Sequence, residues 1–371
     1  MIYFENYQKG HVGLNNHVIP YTLCIAVSHF LDRDFYFEHE TNTRTPPEYA
    51  TTDGLHDKFS ILMHSPPSRV SDLLDIPNRR VYEIDRDVQK KFRIEDPMRS
   101  FLTTEAQQQK FGETFIWNYF SLGRDVYIKD SLLENDVIEF GSQSLVNATY
   151  FFFLDRAEKC SLLDTIKINY RADLEKLAAR ISGEFGDFNA IHLRLGDFRS
   201  SYGGDGYRVV TDRFKKSVEA LLKQRDVPLL VATDGLHEKE LFSEMLSGFD
   251  YRFIDEIVFE NYFDEYRELD FTDYNALSVI NQIICANAGQ FIGTCRSTFT
   301  SVIHRIRQER YGKTDFDFFP DERVSRVLSP EFELRPDQQG FFEWNRYSIF
   351  SEGYEYPGWM REWTYDLTSI A

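Results

Sequence analysis

The sequence predicts an α/β protein of two domains, with a doubly wound parallel sheet in its second half. Three observations carry this expectation. At 371 residues the chain is too long for one typical hydrophobic core, and two domains are the default. Ile191, Leu193 and Leu195 alternate with His192 and Arg194, the period-two pattern of a strand, and Gly196-Asp197 then turns the chain. From there on, short apolar runs alternate with helical spacings, as in a sheet wound on both faces.

Taken in order, the chain opens on a short strand and a glycine-bearing loop, Gly10 to His17. An apolar helix pattern follows at Leu23, Val27, Phe30 and Leu31, and then a strand at Phe35-Tyr36-Phe37. That is a βαβ unit with the loop at its ligand-facing end. Ordinary turn chemistry explains Gly13 and Asn15 equally well, since both residue types tolerate positive φ. From about Thr41 to Lys110 the pattern is irregular, broken by Pro46-Pro47, Pro66-Pro67, Pro77 and Pro97, with dense charge from Tyr82 to Glu95. It reads as long surface connections and short elements. Trp117 to Phe120 and Phe151 to Phe153 read as buried aromatic segments.

The expected boundary falls near Lys159 to Ile168, giving domains of residues 1–165 and 166–371, with a last helix that can return to the first. Leu174, Leu177, Ala178 and Ile181 mark a helix that Ser182-Gly183 can end. Leu229 to Ala232 is a fully apolar strand, Thr233-Asp234-Gly235 turns out of it, and Tyr251 to Ile254 is the next strand. Leu277, Ile280 and Ile284 give another helix, and Phe291-Ile292 another strand. Phe299, Val302, Ile303 and Ile306 form the buried face of the helix after it.

Composition narrows the function classes. A hydrophobic content of 42% with 27% charged residues describes a globular protein, and 33 Phe and 21 Tyr make its cores aromatic. The formal charge of −18 argues against nucleic-acid binding and against a basic membrane-docking surface. Cys24, Cys160, Cys285 and Cys295 show no metal-ligand spacing and read as buried thiols in a reducing compartment. With no signal-like start and no apolar stretch of transmembrane length, the expected location is cytoplasmic, unless a leader was trimmed, with no integral membrane association.

Two stretches can carry chemistry. Arg194 stands near the carboxyl end of its strand, where open α/β sheets border their ligands, and its planar fork suits phosphate oxygens. Pairing with a nearby carboxylate explains it as well, and His192 equally reads as a satisfied core histidine. Gln290 to Phe299 is a strand, a glycine and a Ser297-Thr298 pair that can cap a helix. A helix start offers unpaired N–H groups and about half a positive charge, a ready phosphate site, although plain capping uses the same residues.

His192-Leu193-Arg194, Ala232-Thr233-Asp234, Asn281 to Ala286, Phe291 to Thr294 and Ser297-Thr298-Phe299 resemble the GDP-fucose protein O-fucosyltransferases, the type 2 enzymes above all in the last segments. Gly13-Leu14-Asn15-Asn16 resembles the family's N-terminal glycine-asparagine loop. The resemblance covers roughly the second half and the first thirty residues. It implies a GT-B architecture, two Rossmann-like domains facing a cleft, and an inverting, metal-independent glycosyl transfer from GDP-fucose to a protein or glycan hydroxyl. It implies that Arg194 binds the diphosphate and stabilises departing GDP, that His192 lies along the nucleotide, and that Ser297, Thr298 and Phe299 meet the β-phosphate. Gly13, Asn15 and Asn16 are then the first domain's contribution, and Asp234 and Asn281 join the donor site.

Two positions depart from the family. An aspartate that helps read guanine appears here as Asn281 or Gly289, depending on register. The glutamate proposed as general base in type 2 enzymes is replaced by His11-Val12, which makes His11 the candidate base. Asp85-Arg86-Asp87 has the spelling of a metal triplet but sits in a charge run, so no metal is expected. A transferase for another nucleotide-linked 6-deoxysugar, and a nucleotide-sugar-binding protein without turnover, are the alternatives.

Overall fold

The computed structural model describes residues 2–5, much of 14–39, 68–75, 80–85, 98–99, 138–141, 167–194, 218, 226–234, 246–270, 273–293 and 297–313. These residues fall into two compact units. The first holds the described residues up to Asn169 apart from Ser68; the second holds Ser68 and the described residues from Tyr170 onward.

The first unit is built on five parallel strands, β1 (Ile2–Glu5), β2 (Phe35–His39), β3 (Val81–Asp85), β4 (Met98–Arg99) and β5 (Ile138–Gly141), in the order β3-β2-β1-β5-β4. Strand order reverses at β1, so its carboxyl end at Glu5 borders the place where open sheets bind ligands. The helix after β1 begins earlier than the spacing suggests. Asn15 is already helical, and Val18, Ile19, Tyr21 and Ile25 are its buried face. Strand β3 is one of the short elements expected in the charge-dense segment. Glu83 and Asp85 mask the alternation there.

The second unit carries four parallel strands, β6 (Asn189–Leu193), β7 (Leu229–Thr233), β8 (Tyr251–Phe253) and β9 (Phe291–Gly293), in the order β8-β7-β6-β9. Every residue of β6, β7 and β9 is buried, which a parallel sheet requires when both faces are covered. The α/β fold class with parallel sheets stands as read.

The helices described in full are α1 (Val70–Leu73) in the first unit and, in the second, α2 (Ala172–Phe185), α3 (Ile254–Asn261), α4 (Phe263–Arg267), α5 (Tyr274–Asn287) and α6 (Thr298–Tyr311). Helix α2 buries Leu174, Leu177, Ala178 and Ile181 as expected. It does not stop at Ser182-Gly183; it runs to Phe185 and ends on Gly186, whose φ of 62° suits a residue without a Cβ. Helices α3 and α4 were not legible, and the strand read as Tyr251 to Ile254 gives way to α3 at Ile254. Asp273 starts α5 by accepting a bond from the Ala276 amide at 2.9 Å, and it also accepts from the Ser68 amide. Cys285 is a buried free thiol, as expected. Trp117 to Phe120, Phe151 to Phe153, Cys24, Cys160, Cys295 and any last helix lie outside the described residues.

Candidate functional site

In the second unit strand order reverses at β6, since β7 and β8 lie on one side of it and β9 on the other. The carboxyl ends of β6 and β9 therefore flank the switch point of this sheet, where α/β proteins open a crevice. Arg194 is the residue directly after β6. Four residues after β9, Ser297 is fully buried at the position before α6, and Thr298 and Phe299 are its first two residues, both half-buried.

The two strand ends are locked together through side chains. His192 pairs in register with Gly293 of β9 and Ala232 of β7. Its Nδ1 lies 2.8 Å from the hydroxyl oxygen of Thr300, in the first turn of α6. The Phe299 ring packs on the imidazole at 4.5 Å between centroids, tilted by 30°. Gly293 permits this approach: a Cβ there would lie 2.1 Å from Thr300 Cγ2. The glycine before the Ser-Thr pair is thus a packing requirement for seating α6 against the sheet.

On the other side of Arg194 stands Asp234, one residue past β7. Arg194 Nε and Asp234 Oδ2 are 4.0 Å apart, with side chains 16% and 10% exposed. That separation is too long for a hydrogen bond but short enough for strong attraction in a half-desolvated place. The carboxylate pairing foreseen as an alternative for Arg194 is therefore present. A guanidinium and the positive opening of a long helix, at adjacent strand ends, form a local anion-attracting field.

Two other candidate positions of this unit, Asn281 and Gly289, are not brought to this place. Asn281 is mid-way along α5, 5% exposed, and its amide donates to Asp255 Oδ1 at 2.7 Å and to Leu277 O at 2.9 Å. Burial pushes the Asp255 carboxyl up to about 7, with the Asn281 bond acting in the opposite direction. Gly289 precedes β9, and its amide donates to the Phe188 carbonyl just before β6. It therefore stands at the amino-terminal edge of the sheet, the end opposite Arg194. Asn15 is buried in its helix in the first unit. His11, Gly13 and Asn16 lie outside the described residues.

Thr300 is the site residue that sequence reading missed. Only the register of β6 against β9 puts it opposite His192. Among the described residues no group of three or more His, Cys, Asp or Glu side chains is placed to hold a metal ion. No helix among them is long and apolar enough to cross a membrane.

No protein-family model matches the sequence, and no curated protein matches it. Among solved structures the chain is similar to POFUT1 in complex with GDP, at 14% identity and a TM-score of 0.46, over 86% of this chain and 98% of that one. It is similar to NodZ α-1,6-fucosyltransferase soaked with GDP-fucose, at 11% identity and a TM-score of 0.42, over 82% of this chain and 92% of that one. The fucosyltransferase NodZ from Bradyrhizobium is similar at 11% identity and a TM-score of 0.42, over 82% and 91% of the two chains.

Proposed function

We propose that this chain is an inverting, metal-independent glycosyltransferase that takes fucose from GDP-fucose and places it on a protein or glycan hydroxyl. What supports the reading is one juxtaposition: Arg194 directly after β6 and the start of α6 after the neighbouring strand β9. The identity of the donor rests on the motifs His192 to Arg194, Ala232 to Asp234 and Phe291 to Phe299.

The chemistry follows from where charge develops. The acceptor oxygen bonds to the anomeric carbon as the bond from that carbon to the β-phosphate oxygen breaks. The electron pair of the broken bond stays on the diphosphate, and the hydroxyl proton passes to a base, the role assigned to His11. Attack from the face opposite the leaving group inverts the anomeric centre. Negative charge grows on GDP through this step, so donors already aimed at the diphosphate stabilise the transition state more than the bound substrate. Arg194 supplies two parallel N–H groups and α6 its first-turn amides. Asp234, beside Arg194, restrains the guanidinium before the nucleotide arrives.

Ligand-induced stabilisation tests the donor. GDP is expected to raise the melting temperature, since it binds the folded state, whereas UDP and dTDP leave it unchanged. EDTA is expected to leave both GDP binding and fucose transfer intact. A shift with UDP or dTDP and none with GDP overturns the donor, and activity lost on chelation and restored by manganese overturns the metal-free mechanism.

A further inference from the structure

Arg194 and Asp234 are the residues directly after β6 and β7, whose last members, Leu193 and Thr233, pair in register. The two side chains therefore start side by side at the carboxyl edge of the sheet. At 4.0 Å, Asp234 Oδ2 is beyond hydrogen-bond reach of Arg194 Nε, so this contact acts through charge. Both side chains are largely buried, and water screens such charges weakly.

Glycosyl transfer changes the charge that faces this pair. In GDP-fucose each phosphate carries one negative charge. When the anomeric C–O bond breaks, its electron pair stays on the β-phosphate oxygen. GDP then leaves with one more negative charge than the donor above about pH 6, where a terminal phosphate loses its second proton. Arg194 favours that extra charge, and an unopposed cation site would hold its product more tightly than its substrate. Turnover then waits on release. A carboxylate beside the cation weakens the field for both ligands, and more for the more highly charged product.

We propose that Asp234 is the charge-balancing residue of this site: its carboxylate offsets part of the Arg194 field and lets the diphosphate product leave. The identity of the ligand in this statement rests on the proposed function. The sign of the effect distinguishes this role from two others. If Asp234 bonds the nucleotide, or only holds Arg194 in place, the site binds GDP less well once the charge is removed. If Asp234 offsets charge, the site binds GDP better.

Calorimetry at pH 8 compares wild type with Asp234→Asn, which is the same size without the charge. The ligands are GDP and its β-methyl ester, which has one charge fewer and no sugar. Asp234→Asn is expected to bind GDP about tenfold and the ester about threefold more tightly than wild type does. Stopped-flow displacement is expected to show the gain as slower GDP dissociation. Wild type is expected to bind the two ligands within about threefold of each other, and a greater preference for GDP overturns the proposal. A folded Asp234→Asn with unchanged or weaker GDP affinity overturns it too; thermal melting shows whether the variant folds, and if it does not, the wild-type ratio decides. If wild type binds no GDP, the donor reading fails, and inorganic pyrophosphate with the same two proteins tests the charge effect alone. Tighter pyrophosphate binding to Asp234→Asn then sustains that effect, and equal, weaker or no binding overturns it.

Discussion

Gly293 and Thr300 approach so closely that a Cβ on the glycine would lie 2.1 Å from Thr300 Cγ2, 2.5 Å from its hydroxyl oxygen and 2.8 Å from its Cβ. Because the Thr300 Cβ is among these atoms, no rotamer change relieves the clash. The first turn of α6 has to move away from the sheet. Gly293→Ala is therefore expected to cost about 2–3 kcal/mol in urea unfolding, the range of overpacked cores, and to weaken GDP binding. Adding Thr300→Ala removes two of the three clashing atoms and is expected to recover part of the stability but not the binding. A Gly293→Ala protein as stable as wild type contradicts the seating of α6 described above.

A second prediction concerns the end of α5. Arg307, fully buried on α6, donates through Nη1 to the Ala286 and Ala288 carbonyls at 3.1 and 2.7 Å and through Nη2 to the Gly289 carbonyl at 3.3 Å. Lys313 Nζ donates to the Asn287 and Ala288 carbonyls at 3.0 and 2.7 Å. Two cations thus complete the carbonyl end of α5, where the helix dipole is negative. Arg307→Met keeps the bulk and strips the donors, and it is expected to lower stability by about 2–4 kcal/mol. GDP affinity of the folded fraction is expected to stay near wild type, because these carbonyls lie at the amino-terminal edge of the sheet. Intact stability in Arg307→Met contradicts the capping account.

How much of this was legible follows from where the determining contacts lie. Strands β6, β7 and β9 and helices α5 and α6 show in the sequence because apolar spacing repeats within each element. Helices α3 and α4 do not, because at 8 and 5 residues they are too short for the spacing to repeat. Strand β3, at the end of the strand order, was hidden by the acidic Glu83 and Asp85. Within the candidate site, Arg194, His192 and Ser297 to Phe299 were legible as motifs. Thr300 was not, since its partner lies 108 residues away and only strand register pairs them. Asn281 carries the same lesson: its neighbour Asp255 comes from another helix, which local spacing cannot reveal.

That buried pair makes a third prediction, about pH. Removal from water raises the Asp255 carboxyl from the ordinary 3.8 to about 7. Asn281 Oδ1 is buried without a partner beside it, and a proton on Asp255 supplies a donor for that oxygen. Tyr266, whose hydroxyl donates to the Asp273 carbonyl at 2.6 Å, feels the Asp255 charge. Below about pH 4 the folded and unfolded carboxyls are both protonated, and the group has no effect on stability. Between about pH 4 and 7 the unfolded chain ionises first, so this group's contribution falls as pH rises, and the loss is complete above about 7. Asp255→Asn keeps an acceptor for Asn281 Nδ2 and cannot ionise. It is expected to stabilise the protein by on the order of 2–4 kcal/mol at pH 8 and to change little at pH 4. Equal effects at the two values contradict a carboxyl that folding raises well above its ordinary value.

The central claim is that Arg194 neutralises a departing diphosphate, and its most direct test is the turnover of Arg194→Ala with GDP-fucose, measured alongside its melting temperature. Arg194→Ala is expected to lower kcat by about 10²–10³-fold while the protein stays folded, the effect of deleting a preorganised donor at a developing anion. Arg194→Lys is expected to recover little, because a point charge does not replace a bidentate fork. If Arg194 serves only as the partner of Asp234, the alanine variant melts lower and turns over normally once folded. A near-normal kcat in Arg194→Ala contradicts the account.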